Sequence, residues 1–238
     1  MEHDVFEIMY SLRAMRRLKP DPVPEALIWK LVEAGTHAPS GGNSQPWRFV
    51  VVQDPELKRF VQERYRAAFD LYLRTGAAAR RAAGETSEQA ASRVDAPRSP
   101  ATASPADLSR RVAIVRAANH LADHLHEAPV LLFACVMPRD LPLLGDRPHG
   151  GPAIYASIFP AVQNVLLACR ALGLGATLTT LHLLHEREIK ERLGIPKEVE
   201  TVALLPIGYP VGRFGPTTRK PPEEVTYWDG WNQLRARR

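Results

Sequence analysis

Two short segments hold residues whose types and spacing suit chemistry. In SLRAMRRLKP, Arg13 and Arg16 stand three positions apart with Arg17 adjacent, at the end of a helical pattern. Guanidinium forks hold phosphate through paired hydrogen bonds, so side chains converging there would suit the anion that cofactors most often present. The same segment also reads as a solvated basic face. In APSGGNSQPWRF, residues 38–49, two prolines, two glycines, two serines and two carboxamides share one loop between a helical pattern and an apolar run. The glycines allow close backbone approach, and Ser40, Asn43, Ser44 and Gln45 offer donors and acceptors without charge. Taken alone this is equally an ordinary helix-to-strand turn, because such residues dominate turns. Together the two segments supply cations for a phosphate and neutral donors for a polyol or heterocycle, as a phosphorylated cofactor requires.

Other candidates are weaker. His120 and His124 are four apart on one helical face with His126 close by, a spacing that can hold a metal, but no third ligand is evident and no HExxH motif is present, so a solvated or interface helix face is the plainer reading. His182 and His185 are similarly spaced, and His182 is a candidate for a substrate site. Cys135 lies in an apolar run and Cys169 in a helical pattern, which fits buried reduced thiols rather than a disulfide or a nucleophile. Trp47 reads as a core or interface anchor, and Trp228 and Trp231 as a tail clamped on a neighbouring subunit. The chain has no Ser-His-Asp order, GxSxG, P-loop or CxxC, and GLGAT follows a helix and lacks the third glycine of a dinucleotide fingerprint.

The elements that must position these residues follow from periodicity. Val5, Phe6, Ile8, Met9 and Leu12 give an amphipathic helix capped by Asp4. A second helix begins at Pro24, turns Leu27, Leu31 and Ala34 inward and stops at Gly35. Residues 48–53 read as a buried strand, and Leu57, Phe60, Val61 and Tyr65 restore helical period after Asp54 and Pro55. Residues 76–107 are rich in Ala, Arg, Ser and Pro with almost no large apolar residue, and are expected to be a mobile or lid-like insertion, with a shorter helix possible around residues 77–91. Helical period resumes at Val112, an apolar strand follows at residues 129–136, and a long helix spans about residues 153–172. A short amphipathic helix near residues 186–193, a strand at residues 201–207 and a proline-rich extended tail complete the pattern. Mixed strands and helices without repeats argue for a sheet covered by helices.

With 238 residues, 45% of them hydrophobic, the chain can bury a sizeable core. It has no apolar run of membrane-spanning length, and the opening MEHDVFEIMYSLRAMRR lacks a secretory pattern, so a cytoplasmic protein without a membrane partner is expected. The net charge of +5 allows nucleic acid, an anionic ligand or simple solubility. Without a helix-turn-helix, zinc-finger or RNP-like pattern, nucleic acid is not an expected partner.

The succession of SLRAMRRLKPDPVP, LVEAGTHAPSGGNSQPWRFVVV, APVLLFACV, VQNVLLACRALGLGATLTTL and LLPIGYPVGRFGPTTRKPP resembles the nitroreductase family of FMN-dependent oxidoreductases across nearly the whole chain, residues 76–107 excepted. The resemblance implies a single α+β domain over residues 1–238, with a central, mainly antiparallel sheet flanked by helices, in an intertwined homodimer with two FMN sites at the interface. It implies that Arg13 and Arg16 hold the FMN phosphate with Ala14 and Arg17 beside them, and that Arg219 returns to it. It implies that Pro39, Ser40, Asn43 and Gln45 reach the flavin anchored by the other subunit, and that Thr179, Thr180 and Leu181 face the flavin N5 and O4 edge. The chain departs from the family at Ala14, where a Ser or Thr is usual, at Leu12, where many members carry arginine, and at Thr180-Leu181, which replaces a Glu-Gly pair. The implied activity is ping-pong transfer from NAD(P)H through FMN to a small acceptor such as a nitroaromatic or quinone. No catalytic side chain and no metal are implied, because the flavin carries the chemistry, which accounts for the missing nucleophile and acid–base motifs. A flavin-fragmenting or dehalogenating member of the same fold, one using a deazaflavin reductant, or a flavin-binding carrier or sensor without turnover are the alternatives.

Overall fold

The apolar run at residues 129–136 becomes β2 (Val130–Val136), and its lack of alternation has a direct cause: both faces of this strand are covered. The computed structural model, which describes residues 4–82, 105–137 and 155–235, sets β2 between β1 (Trp47–Val52) and β4 (Glu200–Gly208), with the short β3 (Gly175–Ala176) beyond β4. All pairings in the order β1-β2-β4-β3 are antiparallel, and the register of β2 against β4 shifts between Ala134 and Cys135. Val130, Leu132, Ala134 and Val136 pack with α2 (Glu25–Thr36) and α5 (Tyr155–Ala171). Leu131, Phe133 and Cys135 pack on the other face with α3 (Pro55–Ala82), α4 (Pro105–His124) and α6 (Glu186–Leu193). The result is the expected α+β architecture, an antiparallel sheet with helices on both sides.

Local chemistry explains most boundaries. Asp4 caps α1 (Val5–Ser11) by accepting from the Phe6 N–H at 3.2 Å, and Asp54 caps α3 by accepting from the Leu57 N–H at 2.8 Å. Helix α6 ends at Gly194 in the left-handed region, with φ of 67°. Arg66 on α3 joins α4 through Asn119 at 3.0 Å and Asp123 at 2.9 Å, and also pairs with Asp70 on its own helix.

The structure corrects several sequence expectations. Pro24 precedes α2 as its cap rather than opening it, because its ψ of 137° is extended. Gly35 does not stop that helix, which continues to Thr36; a Cβ there would meet Val165 Cγ2 at 3.0 Å and Phe49 Cζ at 3.1 Å, so the glycine serves the close approach of α2 to α5. The buried stripe of α2 is accordingly Ile28, Leu31 and Gly35. β1 is not buried throughout: as an edge strand it leaves Arg48 and Val51 exposed while Trp47 and Val52 enter the core. β3 went unread because two residues carry no periodicity. Of the lid-like insertion expected at residues 76–107, the ends belong to α3 and α4, and residues 83–104 lie outside the described residues.

His182, read as a substrate-site candidate, is instead fully buried, edge-on to Phe133 with ring centroids 5.5 Å apart. Neither ring nitrogen has a hydrogen bond of good geometry. Burial pushes the imidazole down to about 4, opposed in part by the Glu186 charge and the nearby Thr201 backbone. The folded protein therefore holds a neutral ring that the unfolded chain protonates near its ordinary 6.5, so this group's contribution is complete above pH 6.5 and is lost as pH falls toward 4.

Two outcomes follow. Unfolding free energy measured by urea titration should drop from pH 6.5 to 4 by up to roughly 3 kcal/mol more in the wild type than in His182→Leu; parallel pH curves would refute a buried neutral imidazole. Gly175→Val should cost about 1–3 kcal/mol, because a Cβ there would stand 2.9 Å from Met15 Cβ and 3.0 Å from Leu18 Cδ2. An unchanged urea midpoint would show that the arginine segment does not rest on β3.

Candidate functional site

The arginine segment leaves α1 in extended form and behaves as an additional strip along the sheet end. Met15 N–H donates to Ala176 O at 2.9 Å, Lys19 N–H to Tyr209 O at 2.8 Å and Val211 N–H to Arg17 O at 3.0 Å. Extended backbone alternates its side chains, so Met15 enters the interior while Arg16 turns the opposite way. Half-buried Arg16 lines a cavity of about 290 Å³. Residues 177–181 form one side of it, and Phe69, Tyr72 and Leu73 of α3 with Ile114, Val115 and Ala118 of α4 form an apolar wall.

The three arginines do not converge. Arg13 is exposed, its Nη1 3.8 Å from where a Gly215 Cβ would stand, so it accompanies the C-terminal tail. Arg17 is exposed, and its charge, after burial and the neighbouring His124, helps hold His120 of α4 below the ordinary imidazole value. Ala14 is exposed between them. The tail returns to the same end of α1, since Thr217 donates through N–H and Oγ1 to Tyr10 O at 2.9 and 3.2 Å. Arg219 follows two residues after Thr217 and donates to its neighbour Thr218 O at 2.8 Å. Among the described residues neither Arg13, Arg16 nor Arg219 has an acidic partner.

Thr179 is fixed from two sides. Its backbone exchanges both hydrogen bonds with Leu204 of β4, at 3.0 and 2.9 Å, and its hydroxyl meets the Tyr65 hydroxyl at 3.1 Å. The Thr179 N–H is thus spent on the sheet, whereas Thr180 is exposed at the rim and its carbonyl accepts from Leu183 N–H. Leu181 N–H reaches Thr179 Oγ1 at a long 3.5 Å. Tyr65 is 3% exposed; burial raises its phenol above the usual value, opposed by the Thr179 hydrogen bond and the Arg16 charge.

Residues 38–49 form a separate feature that does not line this cavity. Gly42, Asn43 and Gln45 all have positive φ, at 60°, 52° and 51°. For Gln45 that conformation is uncommon, and internal hydrogen bonds support it: its N–H donates to Ser40 Oγ at 3.1 Å and its side-chain amide to Asn43 Oδ1 at 3.2 Å. Gly41 N–H donates to buried Ser157 of α5 at 3.4 Å, while Pro39, Asn43 and Gln45 stay exposed. Trp47 anchors the loop in the core at 5% exposure.

The histidines of α4 and its end stack rather than chelate. The rings of His120 and His124 lie 4.3 Å apart and His124 meets Glu127 at 2.9 Å. Among the described residues no three His, Cys, Asp or Glu side chains are grouped to hold a metal. Cys135 and Cys169 are both free and buried, and burial pushes their thiols up to about 11 and about 12, which makes both poor nucleophiles. The residues that sequence reasoning passed over are Tyr65 and the α3–α4 wall, which carry only the helical period common to any core helix.

Residues 11–209 match the Nitroreductase family. A NADH dehydrogenase of Thermus thermophilus is 31% identical over 216 residues, covering 91% of each chain. Iodotyrosine deiodinase 1 of Rattus norvegicus is 26% identical over 208 residues; these cover 87% of this chain but 62% of that one, less than two thirds of its length. A solved nitroreductase with bound FMN from Desulfitobacterium hafniense aligns over 96% of this chain and 100% of its own with a TM-score of 0.62 at 19% identity, a likeness of fold. No helix among the described residues is long and apolar enough to cross a membrane. The family match runs from the end of α1 to the residue after β4, and on that extent, with the Thermus relative alongside, this chain belongs to the nitroreductase family.

Proposed function

We propose that the protein is an FMN-dependent oxidoreductase, working as a homodimer, that takes reducing equivalents from NAD(P)H and passes them in a ping-pong cycle to a small acceptor such as a nitroaromatic or quinone. The observation that carries this reading is the cavity in which Arg16 and residues 177–181 face an apolar, aromatic wall. The donor set fits FMN. Arg13 and Arg219, cations without acidic partners at the end of α1, suit a phosphate, Arg16 offers a further cation inside the cavity, and the α3–α4 wall suits a flat ring. When bound, FMN supplies hydride acceptance from a nicotinamide and hydride return to an acceptor.

The chain's own residues bind and shape. Tyr65 and Leu204 hold Thr179 in place, so the rim at Thr180 and Leu181 is presented by rigid structure. The apolar wall excludes water, which strengthens the field of Arg16 within the cavity. Pro39, Ser40, Asn43 and Gln45 lie outside their own chain's cavity, which favours a role toward the cavity of a second copy. A dimer would also cover Val5, Phe6, Met9 and Tyr10, since α1 buries no residue in the single chain. The described lining contains no Asp or Glu to receive an ammonium, which favours a neutral or anionic planar acceptor over a zwitterionic amino acid such as an iodotyrosine.

The purified protein is expected to carry or take up FMN, to show a flavin visible spectrum that bleaches with NADH or NADPH and returns with a quinone, and to sediment as a dimer. A colourless protein that refuses FMN would sink the proposal, and a monomer that retains FMN would remove the shared site. Arg16→Ala should weaken FMN binding by about 1.5–3 kcal/mol, the worth of a charge-assisted contact. Unchanged affinity by fluorescence titration would exclude Arg16 from the site.

A further inference from the structure

Arg170, in the last turn of α5, joins three parts of the chain that are distant in sequence. Its Nε donates to Ser11 Oγ at 2.8 Å, its Nη2 lies 3.4 Å from Glu7 Oε1, and its guanidinium carbon stands 4.5 Å from the centre of the Phe214 ring. The side chain is only 11% exposed. Ser11 passes the connection on, donating its own hydroxyl to the Glu7 carbonyl at 2.6 Å, which fastens the last turn of α1. Both ends of this joint lead to the cations without acidic partners. Leu12 leaves α1 in extended backbone and is followed by Arg13, while Phe214 is followed by Gly215, beside Arg13 Nη1. Two residues further on, Thr217 is tied to Tyr10 and leads to Arg219.

Arg170 itself is poorly placed to hold an anion. Its charge faces Glu7, its Nε is engaged by Ser11, and one face of its guanidinium covers Phe214. Arg13 and Arg219, by contrast, project from flexible stems on exposed chain, and because two cations of like sign repel each other, their backbones must be held if both are to address one anion. A rigid planar fork that fixes the end of α1 against the tail meets that need. We infer that Arg170 is a positioning residue for the phosphate end of the flavin: through Ser11 and Phe214 it holds the backbones of Arg13 and Arg219 on one anchor, so that both address one phosphomonoester. This rests on the FMN reading above.

The test compares FMN with riboflavin, which differ by the phosphate alone, in fluorescence-quenching titrations of the full-length protein. The wild type should prefer FMN. In Arg170→Met, which keeps the apolar stem over Phe214, FMN affinity should fall about tenfold, the loss of roughly one hydrogen-bonded contact, while riboflavin affinity stays unchanged. Ser11→Ala should reduce the FMN preference in the same direction and tests the link without removing a charge. If both ligands weaken in parallel, or if both variants keep the full preference for FMN, Arg170 is merely structural and the inference is overturned. A wild type that binds FMN no better than riboflavin would overturn the placement of the phosphate itself, and one that binds neither would overturn the flavin reading.

Discussion

The burial of β2 on both faces is the constraint from which the rest of the arrangement follows. A strand whose every side chain is apolar cannot leave either side to water, so helices must cover both. α2 and α5 take one face, and α3, α4 and α6 take the other. The division decides where a cavity can form. The long α3 and α4, locked together through Arg66, Asn119 and Asp123, stand across the cavity from the stretch that follows β3 and runs beside β4 at Leu204. Their apolar side chains then face residues 177–181 across a gap that the core does not fill.

The arginine segment reaches the same cavity through Arg16. It has no hydrophobic run with which to make a strand of its own, yet the backbone bonds from Met15 to Ala176, Lys19 to Tyr209 and Val211 to Arg17 hold it in extended form. Gly175 admits this close approach because a Cβ would collide with Met15 and Leu18. Extension has an electrostatic consequence. A helical Arg13, Arg16 and Arg17 would share nearly one face, whereas the extended chain sends Arg13 to the tail and Arg16 to the cavity and leaves Arg17 exposed. Charge is thus spread along the segment instead of crowding on one face.

The loop of residues 38–49 obeys a different rule. Asn43 and Gln45 with positive φ each cost roughly 1 kcal/mol, and the hydrogen bonds among Ser40, Asn43 and Gln45 hold the loop in that shape. Its polar side chains face outward from a chain whose own cavity lies elsewhere. A loop kept in an unfavourable conformation, with Asn43 and Gln45 exposed and lining no cavity among the described residues, accords with the shared site proposed above.

A sheet covered by helices was largely legible in the sequence because burial leaves a periodic trace, whereas the antiparallel pairing was implied only by the resemblance to the family. The apolar run of β2, the cap at Asp4, and the amphipathic α6, whose bounds fall at Glu186 and Leu193 as read, all act within a few residues of themselves. The arginine segment and the polar loop stood out as candidates by residue type, since few side chains hold phosphate or offer neutral donors on a flexible backbone. What the sequence could not decide is which distant residues meet. Tyr65 looked like one more apolar position of a helix until folding set its hydroxyl 3.1 Å from Thr179. Gly35 looked like a helix stop, and only the approach of Val165 and Phe49 reveals the packing that requires it. His182 looked available for chemistry but lies sealed against Phe133, and Arg170 carried no signal at all although it ties Ser11 to Phe214. Local propensity and burial are written along the chain, but a contact between residues more than a hundred positions apart depends on the packing of whole elements, and that is decided only when the sheet and its helices come together.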